Sequence, residues 1–200
     1  MKAILSEVFG NLEALEAVVE DVARHDVDAV YCLGNVLGYG ASPLECLDLA
    51  MDMDAVLLGN FETAVLFCPE GMPYGAKRSV YWTREVLESE GDQQTRERRF
   101  QFLADLPRRR QEQEALFVSS SPRHWKNEFV FPHDASNSAK MENVGRLFSD
   151  CCFHARTCIP GIMVENAVGS WEWVDPMSNG AGRHLDNRKT LCNVGSVGQP

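Results

Sequence analysis

Hydrophobic positions in this chain follow two rhythms that alternate along its length. Short apolar runs at residues 2–6, 29–33, 55–58 and 115–118 predict buried strands, and Cys151-Cys152-Phe153 and residues 191–195 predict two more. Between the runs the spacing turns helical. Leu12, Leu15, Val18, Val19 and Val22 share one face and predict a helix over 12–24, with others around 43–51, 75–90, 93–105 and 137–149. Asn11 suits the N-cap of the first helix. Ala14 three residues on rules out a reciprocal capping box, while Glu13 in the first turn suits the helix dipole. Strands alternating with helices predict an α/β fold with a largely parallel, layered sheet. Neither an internal repeat nor a low-complexity tract interrupts it, and 200 residues with 44% apolar content suit one domain over 1–200.

Several of these strands run into loops rich in Gly, Asn or Ser. The first ends in SEVFGN (6–11), the second at Gly34-Asn35, the third at Gly59-Asn60, and the fourth in Ser119-Ser120-Ser121-Pro122. Ligands of open α/β sheets gather outside the carboxyl ends of strands, so these loops are expected to converge on a site. Gly34, Gly38, Gly40 and Gly59 read as tight-turn residues whose N–H groups could also hold an anion.

The net charge of −10 argues against duplex nucleic acid as a partner. The one basic cluster, Arg108-Arg109-Arg110, lies between Pro107 and Glu112 and reads as a solvated turn. No apolar run approaches the ~20 residues of a membrane span. The start, MKAILSEVFGN, is too short in apolar length and too quickly acidic for a signal peptide. Seven cysteines, odd in number and irregularly spaced, suggest reduced thiols in the cytoplasm.

The blocks NLEALEAVVEDV, YCLGNVLGYG, SPLECLDL, AVLLGNFE, VYWTREVL, FLADLPRR, SSSPR, NEFVFP, RTCIPG and NVGSVGQP occur in that order. In this order and content the chain resembles the calcineurin-like metallophosphoesterases, specifically their small bacterial and archaeal phosphodiesterase branch. The resemblance runs nearly end to end and implies a layered α/β/β/α sandwich. It also implies a dinuclear centre of manganese, iron, zinc or nickel, held by motifs of the form D-x-H, G-D-x-x-G, G-N-H-D/E, a lone His after a strand, and G-H-T-H.

On those motifs this sequence departs almost everywhere. Glu7 and Phe9 stand at the Asp and His of the first, and Asn35 at the bridging Asp of the second. Asn60 is retained, but Phe61 replaces the catalytic His beside it. Ser119 stands at the lone His, and Arg156 and Cys158 at the two histidines of the last motif. Two divalent cations about 3.5–4 Å apart need an anionic bridge and several imidazole or carboxylate donors. Asn35 is neutral, the two phenyl rings offer no lone pair, and Arg156 is a permanent cation. No cofactor is therefore expected. Glu7, Asn35, Asn60 and Cys158 are the weak candidates for a residual single-metal cluster.

The sequence thus predicts a degenerate metallophosphoesterase-fold protein, impaired or inactive as a hydrolase, with an anion site at Arg156 for a phosphate-containing small molecule. The alternative is a metal-dependent phosphodiesterase or phosphatase with a non-standard metal site. Glu7 and Arg156 either form an ion pair in place of the metals or lean out to solvent. Asn35 and Asn60 are expected to brace their loops. Phe9 and Phe61 fill the vacated space or stack on a ligand ring. Cys151 and Arg156 fall one residue short of the C-x5-R phosphate loop, so the cysteines read as packing residues. His25, His124, His133, His154 and His184 miss the family ligand positions, and His154 reads as a surface or strand-end residue. Family members continue past NVGSVGQP; stopping there implies either a fragment or a sheet edge covered by self-association.

Overall fold

The fold was analysed in a computed structural model, which describes residues 1–176 and 188–199. Strands β1 (Lys2–Leu5), β2 (Ala29–Cys32) and β3 (Ala55–Val56) pair in parallel in the order β1-β2-β3, with Lys2 opposite Ala29 and Tyr31 opposite Ala55. Helices α1 (Leu12–Val22) and α2 (Pro43–Ala50) make the crossovers. The Asn11 side chain accepts the Ala14 N–H at 3.1 Å, the expected cap of α1. β3 is shorter than the predicted 55–58, because Gly59 turns the chain straight into α3 (Asn60–Leu66), a helix the apolar pattern did not reveal. Helices α4 (Tyr74–Ser89) and α5 (Gln93–Asp105) follow.

A second sheet holds β4 (Arg109–Glu112), β5 (Ala115–Val118), β6 (Cys151–His154), β7 (Gly161–Glu165), β8 (Trp171–Val174) and β9 (Thr190–Asn193), ordered β4-β5-β6-β9-β7-β8. Its centre, β5-β6-β9, is parallel, whereas β4 and β7 pair antiparallel with their neighbours. The two sheets fit the expected sandwich; of the largely parallel pairing expected from the alternation, the first sheet keeps all and the second, which is mixed, keeps only its centre. Between β5 and β6 lie a 3-10 helix, Pro132–Ser136, and α6 (Ser138–Gly145), shorter than the predicted 137–149.

Alternation along the strands builds the layers. On the outer face of the first sheet, Leu5, Cys32 and Val56 pack with Leu15, Leu47, Val80 and Leu103 of the helices. On the inner face Tyr31, Leu33 and Leu57 meet Phe117 of the second sheet. On that sheet's far side Leu116, Val118, Cys152 and Leu191 pack against Met141 and Val144 of α6. The architecture is the α/β/β/α sandwich. Cys152 is fully buried and Cys151 half-buried, both in strand β6. No helix among the described residues is long and apolar enough to cross a membrane.

The basic cluster is not a solvated turn. Arg109 opens edge strand β4, where charges guard an exposed edge. The Arg110 guanidinium lies 5.0 Å from the Tyr31 ring centre and donates to Glu112 at 2.5 Å. Lys2 Nζ lies 4.6 Å from the same ring and pairs with Glu112, and Tyr31 donates its hydroxyl to Glu112 at 2.5 Å. These residues join the first sheet to the edge of the second. Tyr31→Phe keeps the ring but loses that donor, and is expected to cost about 1 kcal/mol in urea unfolding.

Candidate functional site

The loops at the carboxyl ends of β1 and β2 are joined backbone to backbone. Glu7, Phe9 and Gly10 donate their N–H groups to the carbonyls of Gly34, Asn35 and Val36, at 3.2, 2.9 and 2.7 Å. To make this junction the chain adopts left-handed backbone at side-chain-bearing residues. Glu7 has φ 55°, Phe9 54° and Asn35 55°, and beyond β6 Arg156 has 85° and Cys158 58°. Such conformations are uncommon outside glycine and cost free energy, most for bulky residues. Five of the eight family positions carry that strain, whereas among the other non-glycine described residues only Gln113 does.

Side chains fasten the same loops. Asn35 donates to Glu7 Oε1 at 2.7 Å, and its Oδ1 accepts the Phe61 N–H at 3.0 Å, the bracing role expected of it. Asn60 forms no such brace among the described residues; it is nearly buried and lines a cleft. Sequence reasoning missed Glu62. Its side chain is fully buried and accepts the N–H groups of Asn35, Leu37 and Gly59, each at 2.9 Å. A glutamate at the third position of a helix opened by glycine was the available signal. Gly59 must lack a side chain for this, because a Cβ there would lie 2.5 Å from Asn35 N and Glu62 Oε2. Only Gly34 of the four predicted turn glycines has positive φ, at 98°; Gly38, Gly40 and Gly59 serve close packing instead.

Glu7 is fully buried, and burial pushes its carboxyl up to about 7, against the opposing Asn35 hydrogen bond and the Arg156 charge. Its Oε2 has no hydrogen-bond partner among the described residues. Burial also raises Glu62 above the usual carboxylate range, and raises the Cys158 thiol, on which the Glu7 charge acts in the same direction. Phe9 and Phe61 are buried and fill the space beside them, joining Tyr39 in an edge-to-face trio with centroids 4.9–5.4 Å apart.

Above this floor opens a cleft of about 290 Å³, lined in part by Tyr39, Asn60, Phe61, Glu70, Asn127, Phe129 and Arg156. The Arg156 guanidinium lies 4.8 Å from the Phe129 ring centre. Neither alternative for Glu7 and Arg156 describes the pair: no ion pair joins them among the described residues, and Glu7 is buried rather than leaning out to solvent. No ion pair or side-chain hydrogen bond of Arg156 occurs among the described residues, and its Nε is buried without a partner. Stacking on Phe129 holds the guanidinium toward the cleft, so the Glu7 carboxyl feels its charge but not its N–H groups.

Ser119 follows β5 and is buried, and Cys158 packs partly buried against the first-sheet core; neither is among the residues lining this cleft. Of the two places expected for His154, the strand end holds and the surface does not, because the residue is fully buried. It ends β6 between β5 and β9, its Nδ1 lies 3.1 Å from the Ser120 carbonyl oxygen, and burial pushes its pKa down to about 4. His184 lies outside the described residues.

No protein-family model matches the chain. An uncharacterized protein of Methanocaldococcus jannaschii is 30% identical over 212 aligned positions, covering 100% of this chain and 77% of the relative. Among solved structures, the metallophosphoesterase from Sphaerobacter thermophilus superposes with a TM-score of 0.80 at 29% identity, again over 100% of this chain and 77% of the other. The chain belongs to the calcineurin-like metallophosphoesterases. A hypothetical protein from Pyrococcus horikoshii OT3 has the same fold, with a TM-score of 0.72 at 20% identity over 79% of its length.

Membership makes the donor set the test of a metallophosphoesterase centre. Among the described residues no group of three or more His, Cys, Asp or Glu is placed to hold a metal ion. Asn35 spends its carbonyl on a backbone N–H and its amide on Glu7. On the positions that the resemblance implies, Phe9 would put hydrocarbon at one ligand position and Arg156 a cation at another, while Phe61 would replace the catalytic His. These residues do not fit two divalent cations.

Proposed function

We propose that this chain is a metallophosphoesterase-fold binding or regulatory protein that has given up metal-dependent hydrolysis, and that its cleft takes a phosphate-containing small molecule at Arg156. The observation that carries this reading is the guanidinium itself. It is a permanent cation, stacked on Phe129 and without an anionic partner among the described residues, at a position where the family places an imidazole ligand. An uncommitted guanidinium lining a cleft favours an anionic oxygen cluster, which it binds through two parallel N–H bonds. Seven cysteines, odd in number and irregularly spaced, suit a reducing compartment such as the cytoplasm.

The second reading, a phosphodiesterase with a non-standard site, draws on one feature. The Glu7 Oε2 lone pairs have no hydrogen-bond donor, and the Cys158 thiol lies near enough to feel the Glu7 charge. One experiment separates the two. Purified protein incubated with Mn²⁺ and passed over a desalting column is expected to retain well under one metal per chain by elemental analysis, and to leave an aryl phosphodiester intact. About two metals per chain with turnover would overturn the proposal in favour of the second reading.

A further inference from the structure

The cleft offers more than a cation. Phe129, Phe131 and His133 form a continuous stack, with ring centres 5.6 and 5.4 Å apart and planes within 7° and 11° of parallel, and the Arg156 guanidinium lies on the Phe129 end. Phe129 and Phe131 come from the segment before the 3-10 helix and His133 from that helix's first turn, so the ladder holds the guanidinium as a preformed flat surface rather than a mobile point charge. Phe129 and Tyr39 are 40% and 49% exposed although both line the cleft, so aromatic surface there is left open to solvent. The amides of Asn60 and Asn127 line the same walls. A volume near 290 Å³ sits at the lower end of small-molecule cavities, roughly 300 Å³, and exceeds what a bare phosphate needs.

We infer that the occupant of this cleft is a planar aromatic ring carrying one anionic group, the ring against the open aromatic surface and the anion on the Arg156 N–H edge. Flat rings stack on guanidinium and phenyl faces alike, and no ion pair of Arg156 occurs among the described residues to compete with a bound anion. Glu70 on the lining disfavours a second negative charge. This inference rests on the anion-site reading above and adds the ring to it.

Calorimetric titration in EDTA with phenyl phosphate, benzoate, inorganic phosphate, acetate and phenol tests both parts. Phenyl phosphate or benzoate is expected to bind at least tenfold more tightly than its ring-free counterpart, and whichever binds better identifies the anion. Arg156→Gln should weaken that binding tenfold or more. Phe129→Leu, at a half-exposed position the fold tolerates, should bring the aryl anion down to its ring-free level. Arg156→Lys, which keeps the charge, guards against a folding artefact and should retain part of the affinity. Equal binding of ring-bearing and ring-free anions, both lost in Arg156→Gln, would overturn the ring while leaving the anion site standing. Phenol binding as tightly as phenyl phosphate, unaffected at Arg156, would overturn the anion site. No binding by any probe would overturn both.

Discussion

Glu62→Ala is expected to destabilise the protein by on the order of 5 kcal/mol, enough to leave it largely unfolded at 37 °C. The carboxylate accepts three backbone N–H groups, from Asn35, Leu37 and Gly59, in a place without solvent access. Each buried donor stranded without an acceptor costs about 1–3 kcal/mol, against a typical total stability of about 5–15 kcal/mol. Part of the loss is offset because a carboxylate whose pKa burial has raised no longer needs to be held in the interior. Glu62→Gln isolates the geometry from the charge. Both carboxylate oxygens are used as acceptors, so the amide turns an NH₂ toward at least one backbone N–H, and a loss of about 2 kcal/mol is expected. Urea unfolding followed by circular dichroism measures both variants. A Glu62→Ala midpoint indistinguishable from the parent would mean that these loops are held by their backbone junctions alone.

The same residue shows what the sequence could and could not convey. The six strands that pair in parallel, β1, β2, β3, β5, β6 and β9, were legible because they carry short, mainly apolar runs, as in Ala115–Val118. Strands with one wet face were not. β4 reads Arg-Arg-Gln-Glu and β8 reads Trp-Glu-Trp-Val, patterns that polar loops also produce. At the site, the identities of the eight positions followed from the order of motifs along the chain. Their geometry did not, because it arises where loops from different strands meet. The three bonds to Glu62 span 3 to 27 residues, and the Arg156–Phe129 contact joins the end of β6 to the segment after β5. Charge complementarity suggested that Arg156 would seek Glu7. In the folded chain an aromatic ladder captures the guanidinium first, and Asn35 captures the carboxylate.

Glu7→Gln is expected to gain stability over the parent progressively as pH rises from about 4.5 to 7. Glu7 titrates near 4.5 when exposed and near 7 when folded, so over that window the folded chain holds a proton that the unfolded chain has released. The Glu7 contribution to stability therefore falls as pH rises through the window, by roughly 3 kcal/mol in all, and stays low above it. Glutamine mimics the protonated acid, keeps the acceptor for the Asn35 amide, and carries no charge to bury. The variant should match the parent near pH 4.5 and exceed it by roughly 3 kcal/mol at pH 8. His154 sets the opposite limb. Its pKa is depressed from 6.5 to about 4, so the unfolded chain takes up a proton first as pH falls, and stability drops from pH 6.5 downward. That acid limb should survive Glu7→Gln unchanged, which makes it an internal control. Denaturant midpoints from pH 4.5 to 8.5 would show both limbs. A high-pH slope unaltered in Glu7→Gln would locate the titrating group elsewhere, with Glu62 the next candidate. Mn²⁺ that restored high-pH stability to the parent but not to Glu7→Gln would show the carboxylate engaging a metal after all, and would revive the phosphodiesterase reading.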